Sequence, residues 1–362
     1  MNKLQNFDVL IVYNSATAKS ASTDSLFPFN SDTPDNIYNG VYGHFLEVCR
    51  KRGLKAAFST SSDVLGPGLC KSFWSYRDNK WSKSFSPCYS NQIFDKVSPG
   101  RQKSRASRQL LFSSPLIRPF ISPSLYQIFF DKQKTHDHFI EHSLPTLTIE
   151  GDTLANLKSS CSHLSSLVDS HPHKSDFSTD IILKDRFGAG GRRIYKFRSH
   201  QYSQMLSVLQ KNTKVSYIIQ PFLNFDKGFT YEDSASTTDI RFIFLGHNIL
   251  QTYIRVAQKG NYLCNEHKGG LLTYISIKDI PLKLVKKANS IAKSINSPNS
   301  LYSLDFIISN NGNSFLLEGN SGPGLDWDIT RQKNETHGKQ LIDHIVMELR
   351  QRIQSDPTSP LS

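Results

Sequence analysis

What this chain lacks narrows the field first. No apolar run in its 362 residues approaches the roughly 18 needed to span a membrane, and Asp8 interrupts the hydrophobic stretch nearest the start. Neither a membrane segment nor a signal peptide is therefore expected, and the chain reads as cytoplasmic. Cysteine is scarce: the five, at 49, 70, 88, 161 and 264, are odd in number and have no Cys-x-x-Cys spacing. That argues against both a disulfide framework and a zinc site. His136, His138 and His142 share part of a helical face, with His171 and His173 further on, but no cysteine or carboxylate set completes a metal shell, so a solvated face is expected. Internal repeats and nucleic-acid-binding motifs are also missing.

What is present describes a folded, basic chain. Apolar residues at 38% and aromatics at 11% exclude disorder, and the length suits two or three domains. The formal net charge is +12, and Arg101, Lys103, Arg105, Arg108 and Arg118 form a stretch with no acidic residue between them. Such a surface attracts anions, less so at high salt. A solvated basic face or an anionic-substrate funnel is the expectation there, rather than nucleic-acid binding.

Chemistry concentrates near the end. Ser303-Leu304-Asp305-Phe306-Ile307-Ile308 and Phe315-Leu316-Leu317-Glu318-Gly319-Asn320 are apolar strands flanking the turn signal Asn310-Asn311-Gly312-Asn313. Because strand side chains repeat every two residues, Glu318 and Asn320 share a face. Asp305, Glu318 and Asn320 thus supply two carboxylates and an amide oxygen, hard ligands that suit Mg²⁺, with Mn²⁺ as the alternative. An acidic hairpin with a solvated face would look the same from these residues alone.

A second constellation lies upstream. Asp180-Ile181-Ile182-Leu183-Lys184 reads as a strand ending in lysine, followed by Phe187-Gly188-Ala189-Gly190-Gly191-Arg192-Arg193 and the strand-like Ile194-Tyr195-Lys196-Phe197. In a hairpin loop, Gly188, Gly190 and Gly191 let backbone N–H groups approach phosphate oxygens, and Lys184 and the arginines add positive charge. This is not a Walker loop, because the lysine precedes the glycines and no Gly-Lys-Ser/Thr follows. A tight surface turn is the plainer account of the glycines.

In this order the motifs resemble the ATP-grasp superfamily, particularly carboxylate–amine ligases such as D-alanine:D-alanine ligase, glutathione synthetase and the ribosomal-protein glutamate ligases. The resemblance covers roughly Ser124 to Arg352. It implies an α/β (α+β) chain in which two α+β subdomains clasp ATP behind an N-terminal α/β domain. Asp131-Lys132 followed by Ser143-Leu144-Pro145-Thr146 looks like the family's opening helix and Pro-containing strand, which makes Lys132 a phosphate contact and Lys184 the second ATP lysine. Ile218-Ile219-Gln220-Pro221-Phe222-Leu223 resembles the hinge strand that pairs with adenine, bringing in Gln220, Phe222 and Leu223. Asp239-Ile240-Arg241, Tyr253-Ile254-Arg255 and Asn265-Glu266-His267-Lys268-Gly269-Gly270 match segments near the transferring phosphate and the substrate carboxylate. By that match Arg241 and Arg255 are catalytic, and Asn265, Gly269 and Gly270 face substrate, as does Gly324 in Gly322-Pro323-Gly324-Leu325. Asp305, Glu318 and Asn320 match the metal ligands.

The sequence also departs from the pattern. Asp185 stands where proline usually follows the lysine, Arg193 where glycine is usual, and Glu318-Gly319-Asn320 replaces the common Glu-Val-Asn. A stiffer, more cationic glycine loop and a looser substrate loop are expected from these changes. Cys264, with no nucleophile triad around it, is read as a small passive residue lining the cleft.

The resulting expectation is an ATP- and Mg²⁺-dependent ligase that forms an amide or peptide bond through an acylphosphate. Its partners would be ATP, a carboxylate and an amine from an amino acid, a peptide or a protein terminus, with no membrane. A non-catalytic nucleotide-binding protein, or one that binds anions or nucleic acid, is the alternative. The expected divisions are an N-terminal α/β domain over 1–123, a subdomain with the glycine loop over 124–223, one with the metal ligands over 224–353, and a polar tail over 354–362. The identity of the substrates and the oligomeric state are not legible.

Overall fold

A computed structural model describes residues 3–97, 102–232, 234–297, 299–325 and 332–355. Arg101, Asp326, Trp327 and the tail beyond Ser355 lie outside them. The described residues fall into two compact units: Met1–Pro123 with Asn299–Leu301 and Gly322–Ser362, and Ser124–Pro298 with Tyr302–Ser321.

In the first unit, the apolar strand β1 (Val9–Tyr13) is buried from Val9 to Val12, as a strand covered on both faces must be. Helix α1 (Ile37–Lys51) leads to β2 (Ala56–Thr60), parallel to β1. Its apolar stripe Val41, Phe45, Val48 and Cys49 is buried, as its helical spacing requires. Strands β3 (Phe73–Arg77) and β4 (Lys80–Ser84) form a hairpin, with Asp78 and Asn79 at positive φ in its turn. Strand β5 (Gln92–Lys96), helix α2 (Gln102–Leu111) and the short β6 (Arg118–Pro119) complete a six-stranded sheet of order β6-β5-β1-β2-β3-β4. Of the basic stretch, Arg108 donates to Asp95 at 2.8 Å and lies over the Phe112 ring, while Arg105 and Arg118 are exposed.

The second unit begins in α3 (Pro123–Phe130) and α4 (Lys132–His138). Asp131 caps α4 by accepting from the Gln133 and Lys134 N–H groups, a favoured N-cap arrangement. His136 and His138 lie in α4 and His142 follows it. Strand β7 (Leu147–Thr148), helix α5 (Leu154–Asp169), strands β8 (Phe177–Asp185) and β9 (Ile194–Arg198), helix α6 (Tyr202–Lys211) and strand β10 (Tyr217–Leu223) build a four-stranded sheet of order β7-β10-β8-β9. The glycine loop is the connection of the β8–β9 hairpin, whose ladder ends at Lys184 opposite Ile194.

A five-stranded sheet follows, of order β13-β12-β11-β14-β15. It contains β11 (Thr238–Leu245), β12 (Asn248–Val256), β13 (Leu271–Tyr274), β14 (Leu301–Ile308) and β15 (Ser314–Asn320), with α7 (Leu282–Ser294) between β13 and β14. One face of its central strands is aromatic: Phe242 meets Phe306 edge-on and Phe244 stacks on Tyr302. The other face carries charge. At the turn between β14 and β15, the amides of Asn311 and Asn313 donate to the buried carboxylate of Asp176 just before β8, and Asn310 bonds Asp226 just after β10. The closing helix α8 (Gln332–Gln354) buries Leu341, Ile342, Ile345, Val346 and Leu349 in the first unit, as its periodicity predicts. Among the described residues no helix is long and apolar enough to cross a membrane.

Candidate active site

Between the two sheets of the second unit runs a cleft lined by residues of both. Its floor is apolar, with Leu144, Ile182, Phe222, Ile307 and Leu317. Charged groups line it too: Lys132, Lys184, Asp185, Arg192, Asp239, Arg255 and Glu318. Of the residues singled out in the sequence, the cleft also brings together Gly188, Gly190, Gly191, Gln220, Leu223 and Asn265, and Cys264 lines it as expected. Gln220 is fixed by its neighbours: its Nε2 donates to Thr146 Oγ1 at 2.7 Å, and Thr146 donates on to the Leu144 carbonyl.

The lysines differ in setting. Lys184 is 4% exposed, and burial, reinforced by the nearby charge of Lys132, pushes its pKa down to about 7, against the pull of Glu318. Lys132 donates from Nζ to the Gly188 carbonyl and from its backbone N–H to Arg186, so α4 and the glycine loop are tied together. Arg186 adds a bidentate bond to Asp131, both at 2.7 Å.

The charged face of the five-stranded sheet is built by register. Asp239 stands opposite Arg255, and Arg241 opposite Tyr253. Arg255 bonds both Asp239 oxygens at 2.8 Å and Asp305 at 2.9 Å, while Arg241 grips both oxygens of Asp305 and donates to Tyr253. Burial raises the Asp305 carboxyl, but the two guanidinium groups outweigh it and hold its pKa below the usual value. For Asp239 burial dominates over Arg255 and leaves it raised. Arg241 and Asp305 do not line the cleft; they reach it through Arg255.

Asp305 pairs with Glu318 and Ser303 with Asn320, so all four residues point to one face. A bulge follows immediately: Phe306 pairs with Leu316, leaving Leu317 over, and this lets Leu317 and Glu318 both line the cleft although they are neighbours in sequence. The donors fit a hard divalent cation. Glu318 has no hydrogen bond or ion pair among the described residues, Asp305 Oδ1 accepts only from Arg241 and keeps a lone-pair site, and Asn320 turns its amide nitrogen towards Asp305. Among the described residues no group of three or more His, Cys, Asp or Glu side chains is placed to hold a metal.

Gly269 and Gly270 do not line the cleft. Gly269 adopts φ +84°, and a Cβ on Gly270 would stand 2.0 Å from the Cys264 carbonyl oxygen, so this turn packs back on the segment carrying Asn265. Gly324 belongs to the first unit. There Lys96, which sequence reasoning missed, donates to the carbonyls of Gly322 and Pro323 at 3.1 and 2.8 Å. Also missed were Asp131–Arg186 and the ion pair of Asp185 with Arg193, at 2.9 Å. Opposite charges at the two ends of one hairpin loop were the available signal. The expected loosening at Gly319 has a different physical context: the residue is buried and packs against the Phe129 ring.

A lysine-bearing strand and a glycine hairpin facing a sheet of oxygen-bearing side chains across an apolar cleft agree with the ATP-grasp fold. The chain belongs to the family of the RimK-like ATP-grasp domain, which it matches over residues 131–345. It is similar to a probable alpha-L-glutamate ligase of Legionella pneumophila, 27% identical over 167 residues, covering 46% of this chain and 49% of the relative. The chain thus spans about half the length of the curated relatives it matches. In fold it is similar to the D-cycloserine synthetase DcsG, with a TM-score of 0.59 at 11% identity over 95% of this chain and 100% of that one. It is likewise similar to the ATP-grasp ligase PsnB complexed with a phosphomimetic variant of its minimal precursor, Mg and ADP, with a TM-score of 0.54 at 11% identity over 94% and 98%.

Proposed function

We propose that the protein is an ATP- and Mg²⁺-dependent ligase that joins a carboxylate to an amine, with the two sheets of the second unit as the two subdomains that clasp ATP. The observation that carries this reading is the convergence of Lys132, Lys184 and the glycine loop on one side of the cleft with Glu318 and the Asp305 network on the other. The apolar floor suits a purine, and the Gln220 amide, oriented by Thr146, offers a fixed polar edge to it.

Asp305, Glu318 and Asn320 would hold the metal, whose charge when bound neutralises the β- and γ-phosphates. Lys184 and Lys132 would hold those phosphates in line for attack by the substrate carboxylate, which takes the γ-phosphoryl group to give an acylphosphate and ADP. An amine then attacks the acyl carbon, phosphate leaves and the amine proton is lost. Arg255, the arginine of the buried network that lines the cleft, would stabilise charge on the acyl oxygen, with Arg241 holding Asp305 behind it. Asn265, beside the glycine loop, is suited to orient substrate: a Cβ on Gly191 would meet its Oδ1 at 2.9 Å. The name of the Legionella relative favours an amino acid such as glutamate as a substrate, and the precursor peptide in a PsnB complex favours a peptide as partner. We propose one of these two classes for this chain, with the cytoplasm as its compartment.

The test is ADP and phosphate release from Mg·ATP with pooled amino acids, peptides and small carboxylic acids. Acceptor-dependent release that Glu318→Gln and chelation by EDTA both abolish is expected. Release unchanged in Glu318→Gln would remove the metal assignment, and nucleotide binding without release from any pool would favour a non-catalytic nucleotide sensor.

A further inference from the structure

Beyond Lys184 and Ile194, the last paired residues of the β8–β9 ladder, the next two positions are Asp185 and Arg193. The Asp185 N–H donates to the Arg193 carbonyl at 3.2 Å, and the Arg193 guanidinium donates from Nη1 to Asp185 Oδ2 at 2.9 Å. The two residues that depart from the family's proline and glycine are therefore partners. Arg193 adopts φ +55°, the left-handed region that glycine enters freely and that costs another L-residue about 1 kcal/mol. Strain of this kind persists where the surroundings impose it.

Asp185 shows what is gained. It lines the cleft directly after Lys184, with its side chain only 10% exposed. Its Oδ1 accepts the Phe187 N–H at 3.0 Å, and a Cβ on Gly188 would stand 2.8 Å from the Asp185 Cβ, so the loop is folded against this side chain. A carboxylate in that place would repel a triphosphate unless it were neutralised. Arg193 is the only cation within ion-pair reach of it among the described residues, since Arg186 is engaged by Asp131.

Resting on the nucleotide-binding reading above, we propose that Arg193 is a positioning residue of the nucleotide loop: it cancels the charge of the Asp185 carboxylate next to Lys184 at the edge of the cleft and holds the two ends of the glycine loop together. It need not touch ATP. Its substitution acts through Asp185, and removing the Asp185 charge makes it dispensable.

Calorimetric titration of the full chain with Mg·ATP tests this, using Arg193→Gly, Arg193→Lys, Asp185→Asn and the Asp185→Asn/Arg193→Gly pair. Glycine is at ease at φ +55° and asparagine keeps the acceptor for Phe187, so no variant adds backbone strain or loses the Phe187 bond, and melting curves without nucleotide verify folding. Arg193→Gly is expected to weaken binding about tenfold, Arg193→Lys to stay within about twofold of the parent, and the pair to recover to within about twofold. A structural role alone would lower the melting temperature without recovery of affinity on adding Asp185→Asn. Parent-like binding by Arg193→Gly, or a pair as weak as Arg193→Gly alone, overturns the proposal. Failure of the parent chain to bind Mg·ATP would instead strike the nucleotide-binding reading, and the proposal with it.

Discussion

Gly319 lies against the ring of Phe129 so closely that a Cβ there would stand 2.3 Å from two ring carbons. Phe129 in turn packs on Phe139 and Tyr302. The glycine in Glu318-Gly319-Asn320 is thus demanded by a large neighbour on α3. Gly319→Val is expected to destabilise the protein by about 1–3 kcal/mol through overpacking, and Phe129→Ala in the same chain to return part of the loss. Urea unfolding of the two single variants and the pair checks this; additive losses would count against the contact.

Asp131 links α4 to the glycine loop. Burial raises its pKa, but the Arg186 bond and the helix N–H groups outweigh this and hold it below the ordinary 3.8. A carboxylate lowered by folding stabilises at pH above its unfolded value, and that contribution fades as pH falls through the lower folded value. Arg186→Gln is therefore expected to cost about 1–2 kcal/mol at pH 7 and progressively less below about pH 4. Melting curves of both proteins from pH 7 to pH 3 should converge.

Lys184 predicts a pH dependence of nucleotide binding. Folding lowers its pKa from 10.5 to about 7, so the unfolded chain holds this proton more firmly between those values, and the group's contribution to stability rises with pH across that window. A bound polyanion reverses the effect by favouring the charged amine. Mg·ATP affinity should be greatest below about pH 7 and decline above it, with net proton uptake on binding at pH 8. Titration in buffers of unlike ionisation enthalpy measures that proton directly.

Arg255 bridges two buried aspartates. Arg255→Met leaves Asp239 without its bidentate partner and Asp305 with Arg241 alone, and an expected loss of about 3–5 kcal/mol follows from the uncompensated charge. Asp239→Asn added to Arg255→Met should restore part of it. Chemical denaturation of the two proteins decides.

The elements that could be read in advance are those whose determinants are local. The lysine at the end of an apolar run, the glycines after it and the Asn-rich turn between two strands each mark their element within a few residues, and β8, β9, β14 and β15 fall where those signals lie. The buried network could not be read this way, because Arg241 and Asp305 are 64 residues apart and only sheet order brings them together. The bulge at Leu317 escaped because strict alternation puts Leu317 and Glu318 on opposite faces. Lys96 escaped for another reason: it bonds carbonyl oxygens, which leave no signature in side-chain identity.

The asparagine turn between β14 and β15 has a mechanical consequence. Its amides fasten the start of β8 through Asp176, while Lys184 and the glycine loop stand at the other end of that strand. The two sheets are therefore joined at this turn like the covers of a book at the spine, and a rotation about it would carry the far end of β8 furthest. With the lysine eight residues from the spine, roughly 26 Å along the strand, a turn of about 5° moves it by about 2 Å. That is enough to make or break a hydrogen bond to a phosphate while the asparagines at the spine scarcely move.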